Sequence, residues 1–216
     1  MCNINCILFG AKNLTKNEVK DKRIIELGSY DVNGSLRTLI ESFGPSKYIG
    51  IDLKNGPGVD LICDVKDLIK KFGEESFDIV ISTEMLEHIK DWRDAISKIK
   101  HICKPGGIIL ITTRSKGFKY HSYPHDFWRY EPKDIKYIFS DCNISVLERD
   151  DKEPGIFTKI RKPKKFIEKN LLDYKLYNII ANRRVLKIEN KFFRTIYYFK
   201  LVLKEKIKET IKFIIK

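Results

Sequence analysis

Several features are missing from this 216-residue chain, and each absence removes a class of protein. No uncharged apolar run approaches the ~18 to 20 residues needed to cross a bilayer, which excludes a membrane-spanning helix. Met1 to Gly10 has no Lys or Arg ahead of its short apolar stretch, Cys6 to Phe9, so no secretory signal is expected and the expected location is cytoplasmic. The five cysteines, Cys2, Cys6, Cys63, Cys103 and Cys142, include no C-x-x-C pair and are odd in number. Neither a disulfide framework nor a zinc site is indicated, and reduced, mostly buried thiols are expected. Internal repeats and low-complexity tracts are absent as well. With 43% hydrophobic residues and 12% aromatics, the composition suits one globular domain with an appendage and excludes a disordered or collagen-like chain.

Positive charge is abundant, and it is not spread evenly. The chain carries 42 Lys and Arg against 29 Asp and Glu. Residues 1–160 hold 25 and 24 of them, a net of +1, whereas residues 161–216 hold 17 and 5, a net of +12. The change begins at Arg161-Lys162-Pro163-Lys164-Lys165. It divides the chain into a neutral folded domain, 1–160, and a basic helical extension, 161–216.

Within the first 160 residues, short aliphatic runs alternate with amphipathic stretches. Such alternation is expected of parallel strands covered by helices on both faces. Strands are predicted at 23–27, 48–52, 61–64, 77–82 and 107–113, and helices at 33–43, 65–72 and 92–103, the last stopped by Lys104-Pro105-Gly106-Gly107. Residues 143–149 and 155–160, around the turn-prone Asp150-Asp151-Lys152-Glu153-Pro154, suit a terminal antiparallel hairpin. Thr15-x-x-Glu18 has the spacing of a capping box that opens a short helix. The predicted class is a doubly wound α/β fold, mostly parallel with a C-terminal antiparallel hairpin.

In such a sheet a ligand sits beyond the carboxyl ends of the strands. The first strand ends in Gly28-Ser29-Tyr30-Asp31-Val32-Asn33-Gly34. Gly28 and Gly34 permit a tight turn and close approach of a ligand, and Asn33 tolerates left-handed geometry. A dinucleotide fingerprint, G-x-G-x-x-G, needs a glycine where Tyr30 stands, which disfavours a pyrophosphate ligand. Asp52, 24 residues after Gly28, closes the second strand and suits the two hydroxyls of a ribose. Asp64 closes the third and either faces a base amine or caps the helix that follows.

Four segments, taken together, resemble the class I S-adenosylmethionine-dependent methyltransferases, in particular the broad type 11-like group with small-molecule, lipid and sugar substrates. They are 24–35, 48–60, 77–89 and the hydrophobic strand after Lys104-Pro105-Gly106-Gly107, all within residues 1–160. Tyr30 departs from the pattern, since many members carry glycine there. The resemblance implies a Rossmann-like sheet, S-adenosylmethionine as cofactor and no metal. It also implies roles. Glu26 organises the first turn and helps hold the cofactor's ammonium group, Gly28 and Gly34 make room for its methionine part, and Ser29 and Asn33 of the same turn are further cofactor-binding residues. Asp52 takes the ribose diol and Leu53 flanks the adenine. Asp64 and Val65 bracket the adenine amine and face, while Thr83 and Glu84 line the cleft near the sulfonium.

Just past the fifth strand, residues 120–130 concentrate His121, His125, Asp126, Arg129 and five aromatics. The segment suits an acceptor-binding loop, with His121, His125 or Asp126 as the base a hydroxyl acceptor requires; a plain structural lid is the competing reading. A His121-x-x-x-His125-Asp126 metal site lacks a third well-spaced ligand. His88, beside Glu87, is expected to make structural hydrogen bonds. Residues 192–216 place apolar side chains at helical spacing among lysines, which fits a helix lying on an anionic membrane surface, a nucleic-acid arm, or a helix folded on its own domain. The expected function is direct in-line methyl transfer to a small-molecule, sugar, lipid or glycan acceptor, with peripheral contact to the inner membrane surface. A nucleic-acid methyltransferase is less favoured, because Ser82-Thr83-Glu84-Met85 stands where a base-methylating Asn-Pro-Pro-Tyr motif would lie. A cofactor-binding protein without catalysis is the third reading.

Overall fold

The computed structural model describes residues 4–122 and 125–214. Tyr123 and Pro124 of the aromatic loop lie outside them, as do Cys2 and the side chain of Ile214.

Seven strands form the main sheet: β1 (Arg23–Leu27), β2 (Lys47–Asp52), β3 (Leu61–Ile62), β4 (Phe77–Thr83), β5 (Cys103–Arg114), β7 (Asn143–Arg149) and β8 (Gly155–Arg161). Their order is β3-β2-β1-β4-β5-β8-β7. The first five are parallel, and β8 and β7 add an antiparallel hairpin on the β5 edge. This is the predicted doubly wound sheet. The strands alternate between two cores: Ile24, Ile79, Ile81, Ile108 and Leu110 face one, Ile25, Val80, Ile109 and Ile111 the other. Burial on both sides explains their near-continuous aliphatic character.

The helices are α1 (Ile4–Asn13), α2 (Lys16–Val19), α3 (Arg37–Ser42), α4 (Leu68–Phe72), α5 (Trp92–Ile102), α6 (Pro132–Ile138) and α7 (Ile196–Ile214). Asp91 accepts the Asp94 N–H at 3.4 Å and starts α5, whose Trp92, Ala95, Ile96, Ile99 and Ile102 are buried. Each such large apolar side chain stabilises the fold by roughly 1.5–3 kcal/mol. The capping box at Thr15 and Glu18 is present.

Several boundaries differ from expectation. Strand β5 begins at Cys103, so Lys104-Pro105-Gly106-Gly107 lies within it rather than ahead of it. The helix predicted at 33–43 begins only at Arg37, because Asp31 Oδ1 takes the Gly34 N–H at 2.8 Å and Ser35 Oγ takes the Arg37 N–H at 3.0 Å, which holds 31–35 as a turn. The strand predicted to 64 stops at Ile62, since Asp64 caps a 3-10 turn over Val65–Asp67. The short apolar stretch at 6–9 lies in α1, which buries Cys6 and Phe9. Finally, the basic part of the chain is helical only from Ile196. Before it, β9 (Leu176–Asn178) pairs with both β6 (Trp128–Arg129) and β10 (Arg183–Val185) in a small antiparallel sheet. Leu171, Leu176, Ile180 and Phe192 share the core that holds α5. Much of residues 171–192 is therefore packed on the domain, and α7 lays one face against it.

Cys6, Cys63 and Cys103 are buried thiols outside any disulfide. Burial pushes the Cys103 and Cys142 thiols up to about 12, which keeps them unreactive at neutral pH.

Candidate functional site

Strand order reverses between β1, which is followed in the sheet by β2, and β4 on its other side. Crevices at such reversals, outside the carboxyl strand ends, are where open α/β sheets bind ligands. A cleft of about 200 Å³ opens there, lined by Gly28, Tyr30, Asp52, Leu53, Asp64, Val65, Glu84, Met85 and His88 among others. Six of the eleven predicted cofactor residues, Gly28, Asp52, Leu53, Asp64, Val65 and Glu84, are thus brought to one rim.

Gly28 has φ +74°, and a Cβ there would lie 2.9 Å from the Met85 side chain. No other residue fits this position without displacing the cleft wall. Asp52 is held by backbone, with the Tyr30 N–H on Oδ2 at 3.3 Å and the Lys54 N–H on Oδ1 at 3.2 Å. Asp64 combines both readings made of it: it lines the cleft, and its Oδ1 caps the 3-10 turn through the Lys66 N–H at 3.1 Å.

The other five stand behind the rim. Glu26 is buried, and the Tyr48 hydroxyl donates to its Oε2 at 2.8 Å. Burial lifts its carboxyl to about 7 against the pull of that hydrogen bond. Ser29 and Thr83 are buried, Asn33 is exposed, and Gly34 (φ +113°) turns the chain under the Asp31 carboxylate. Tyr30 is no bystander, since it lines the cleft and packs so closely over Gly56 that a Cβ there would overlap its ring.

Glu84 follows β4 in a left-handed conformation (φ +53°), which costs of order 1–3 kcal/mol for a non-glycine residue. Its carboxylate pairs with the Arg114 guanidinium from the end of β5. Burial and the neighbouring Glu87 push its carboxyl up, with Arg114 pulling the other way. Sequence reasoning did not find Arg114, because the partner that gives it meaning lies on another strand.

The loop after β5 closes against the cleft. Its Asp126 is fully buried and gripped by both terminal nitrogens of Arg129, at 2.5 and 2.6 Å. Burial alone would raise this carboxyl, but Arg129 and His121 hold it down at about 2. Asp126 lies 3.0 Å from His121 Nδ1, so it orients that imidazole. His121 in turn stands edge-on to His88, ring centroids 4.8 Å apart. His125 differs from the other two predicted bases: its ring is exposed beside Phe127, and only its carbonyl oxygen reaches inward, 2.5 Å from His88 Nδ1. Burial lowers the pKa of His88 and favours its neutral form.

A turn with room for a ligand backbone, a fixed carboxylate and apolar walls stand together at the strand-order reversal of a doubly wound sheet. Residues 7–141 match a family model described as a methyltransferase domain, and the chain belongs to this family. It is 31% identical over 100 residues to phosphoethanolamine N-methyltransferase 2 of Caenorhabditis elegans, covering 40% of this chain and 23% of that protein. It is 27% identical over 70 residues to the ubiquinone biosynthesis O-methyltransferase of Parvibaculum lavamentivorans, covering 32% of this chain and 27% of that one. The chain thus spans about a quarter of the length of each of these two relatives. Among solved structures, it superposes on the 1,6-didemethyltoxoflavin-N1-methyltransferase of Burkholderia thailandensis, bound to 1,6-didemethyltoxoflavin and S-adenosylhomocysteine, with TM-score 0.53. That match covers 74% of this chain and 76% of the other at 14% identity, a likeness of fold.

Proposed function

We propose that this protein is an S-adenosylmethionine-dependent methyltransferase acting on a small-molecule or lipid acceptor. The observation that carries the reading is Asp52, a carboxylate fixed by two backbone N–H groups on the rim of a cleft whose floor is Gly28. The donor set fits the cofactor: Asp52 accepts from a ribose diol, Leu53 and Val65 offer apolar faces to an adenine, Asp64 stands beside them, and Gly28 leaves space for a chain running past it. S-adenosylmethionine supplies a methyl group on a positively charged sulfur. Glu84 and its neighbours give the inner end of the cleft an oxygen-rich, water-poor surface suited to a cation. The protein's contribution is alignment, which can supply up to ~7–11 kcal/mol of a displacement barrier in favourable cases. His121, beside Asp126 and edge-on to the cleft residue His88, is the candidate base for a hydroxyl acceptor while its Nε2 is unligated.

Titration calorimetry with S-adenosylhomocysteine tests the reading. Hydrogen bonds to a charged group are worth ~1.5–3 kcal/mol, so Asp52→Ala is expected to weaken binding by about 10- to 100-fold. Unchanged affinity in the variant would overturn the assignment.

The acceptor's route is proposed to involve a membrane surface. Helix α7 docks through Tyr198 and Leu201, with Glu205 accepting from the Ser122 backbone N–H at 2.6 Å and its hydroxyl at 2.8 Å. On its opposite side Ile196, Phe199, Leu203, Ile207 and Ile211 form an exposed stripe at 46–76% exposure, among lysines. An apolar stripe with basic flanks suits an anionic lipid interface better than nucleic-acid phosphates, which would leave Ile and Phe in water. No helix among the described residues is long and apolar enough to cross a membrane.

A further inference from the structure

We infer that Glu87, His88 and His121 form a binding site for one divalent first-row metal cation, at the junction of the cleft and the loop that follows β5. Neither the family match nor the relatives point to it; the arrangement of donors does.

Glu87 is fully buried. Its Oε2 accepts the Thr113 hydroxyl at 2.9 Å, while its Oε1 has no hydrogen bond among the described residues. That oxygen faces two imidazole nitrogens, His88 Nε2 at 3.9 Å and His121 Nε2 at 3.8 Å. The other nitrogen of each ring explains why this matters. His88 Nδ1 is 2.5 Å from the His125 carbonyl oxygen, and His121 Nδ1 is 3.0 Å from the Asp126 carboxylate. A carbonyl oxygen can only accept, and Asp126 is kept an acceptor by the two-pronged grip of Arg129. His88 Nδ1 therefore carries the ring hydrogen, and the Asp126 carboxylate 3.0 Å from His121 Nδ1, close but outside hydrogen-bond geometry, favours the same tautomer there, which leaves both Nε2 lone pairs facing Glu87. Two lone pairs and one carboxylate oxygen then converge with no hydrogen between them. Three acceptors facing one another beside the buried Glu87 carboxylate are costly, and a cation at their focus resolves the conflict.

The surroundings have the form that metal sites use. Metal-binding histidines commonly set their second N–H against a carbonyl or carboxylate, and His88 and His121 have one of each beside Nδ1. The three donor atoms lie within 4.8 Å of one another. Ligand bonds of ~2.0–2.2 Å place donors about 3–3.5 Å apart, so rotation of the two imidazoles has only the remaining gap to close. Two imidazoles with one carboxylate favour Zn²⁺, Mn²⁺, Fe²⁺ or Co²⁺ over Mg²⁺ or Ca²⁺, and leave positions free for an outside oxygen. His88 lines the cleft, so that oxygen would come from the acceptor, as a hydroxyl or carboxylate; this last link rests on the methyl-transfer reading, whereas the ion site does not. The sequence expectation of no metal rests on the methyltransferase resemblance and on the lack of a third well-spaced ligand beside His121, His125 and Asp126. His125 and Asp126 are not ligands here; the missing pair is Glu87-His88, 33 residues upstream of His121.

The test uses the full chain, stripped with a chelator and titrated with Zn²⁺, Mn²⁺ and Co²⁺ by calorimetry, with visible absorption of the Co²⁺ form. One equivalent is expected to bind, with a Co²⁺ spectrum of nitrogen ligation. Glu87→Gln, His88→Gln and His121→Gln are each expected to abolish stoichiometric binding. Asp126→Asn, which removes no ligand, should weaken it by ~10- to 100-fold, and His125→Ala should leave it unchanged. Absence of a stoichiometric ion in the wild type would overturn the proposal, even if the variants fold poorly. So would wild-type affinity in both His88→Gln and His121→Gln, or loss of the ion in His125→Ala. Titrating S-adenosylhomocysteine into the same stripped protein separates the two readings: failure there counts against the cofactor cleft and leaves the ion site standing.

Discussion

The two halves of the site are held by opposite means. On the cleft side, Asp52 and Asp64 sit half-exposed at strand ends and are positioned by backbone N–H groups. On the loop side, Arg129, Asp126, His121 and Glu87 form a chain of charged and polar groups of which three are buried, each fixed mainly by another side chain. Backbone anchoring tolerates side-chain change, because the N–H groups stay in place. A buried side-chain network does not, since removing one member leaves its partner charged, dry and alone.

The sharpest way to break this comparison is Arg129→Met. It strands the Asp126 carboxylate at 0% exposure and is expected to cost ~3–5 kcal/mol, read from urea unfolding. A loss under about 1 kcal/mol would mean that the loop network is not buried as described. Next in size is a pH effect on the cleft side. The Glu26 carboxyl lies at about 7 in the fold, against its ordinary 4.5. The native state therefore holds a proton that the unfolded chain has given up. This contribution is complete below the unfolded value and is lost as pH rises through about 7, some 3 kcal/mol in all. Glu26→Gln, which stays neutral, should flatten the fall in unfolding free energy across that window; an unchanged slope would refute it. The smallest expected stability effect lies on the far side of α7. Phe199→Glu with Ile207→Glu should change unfolding free energy by no more than ~0.5 kcal/mol. The same pair should abolish flotation of the full chain with anionic liposomes, and retained flotation would remove α7 from the membrane contact.

Much of the cleft was readable because each signal was local. A five-residue strand with three aliphatic residues followed by Gly28, and the acid that closes β2, carry their geometry in adjacent residues. Asp52 and Gly28 are displaced from expectation by nothing in the rest of the fold. Where local chemistry competed with period, the reading slipped: Asp31 and Ser35 capture the N–H groups that a longer α3 would have used. The Glu131-Pro132 start of α6, with Asp134 completing a capping box, was a legible signal that went unread. The three strands of the small sheet, of two or three residues each, carry no usable periodicity.

The sequence by itself determined the class of fold, the parallel order of its aliphatic strands and the carboxylates that end them, since hydrophobic period and turn chemistry act over a few residues. Only tertiary structure decided that Glu84 meets Arg114, that much of residues 171–192 belongs to the core, and that Glu87-His88 meets His121. Those pairings join residues about 30 or more apart in sequence, and a charge or lone pair gains its meaning from what burial places opposite it.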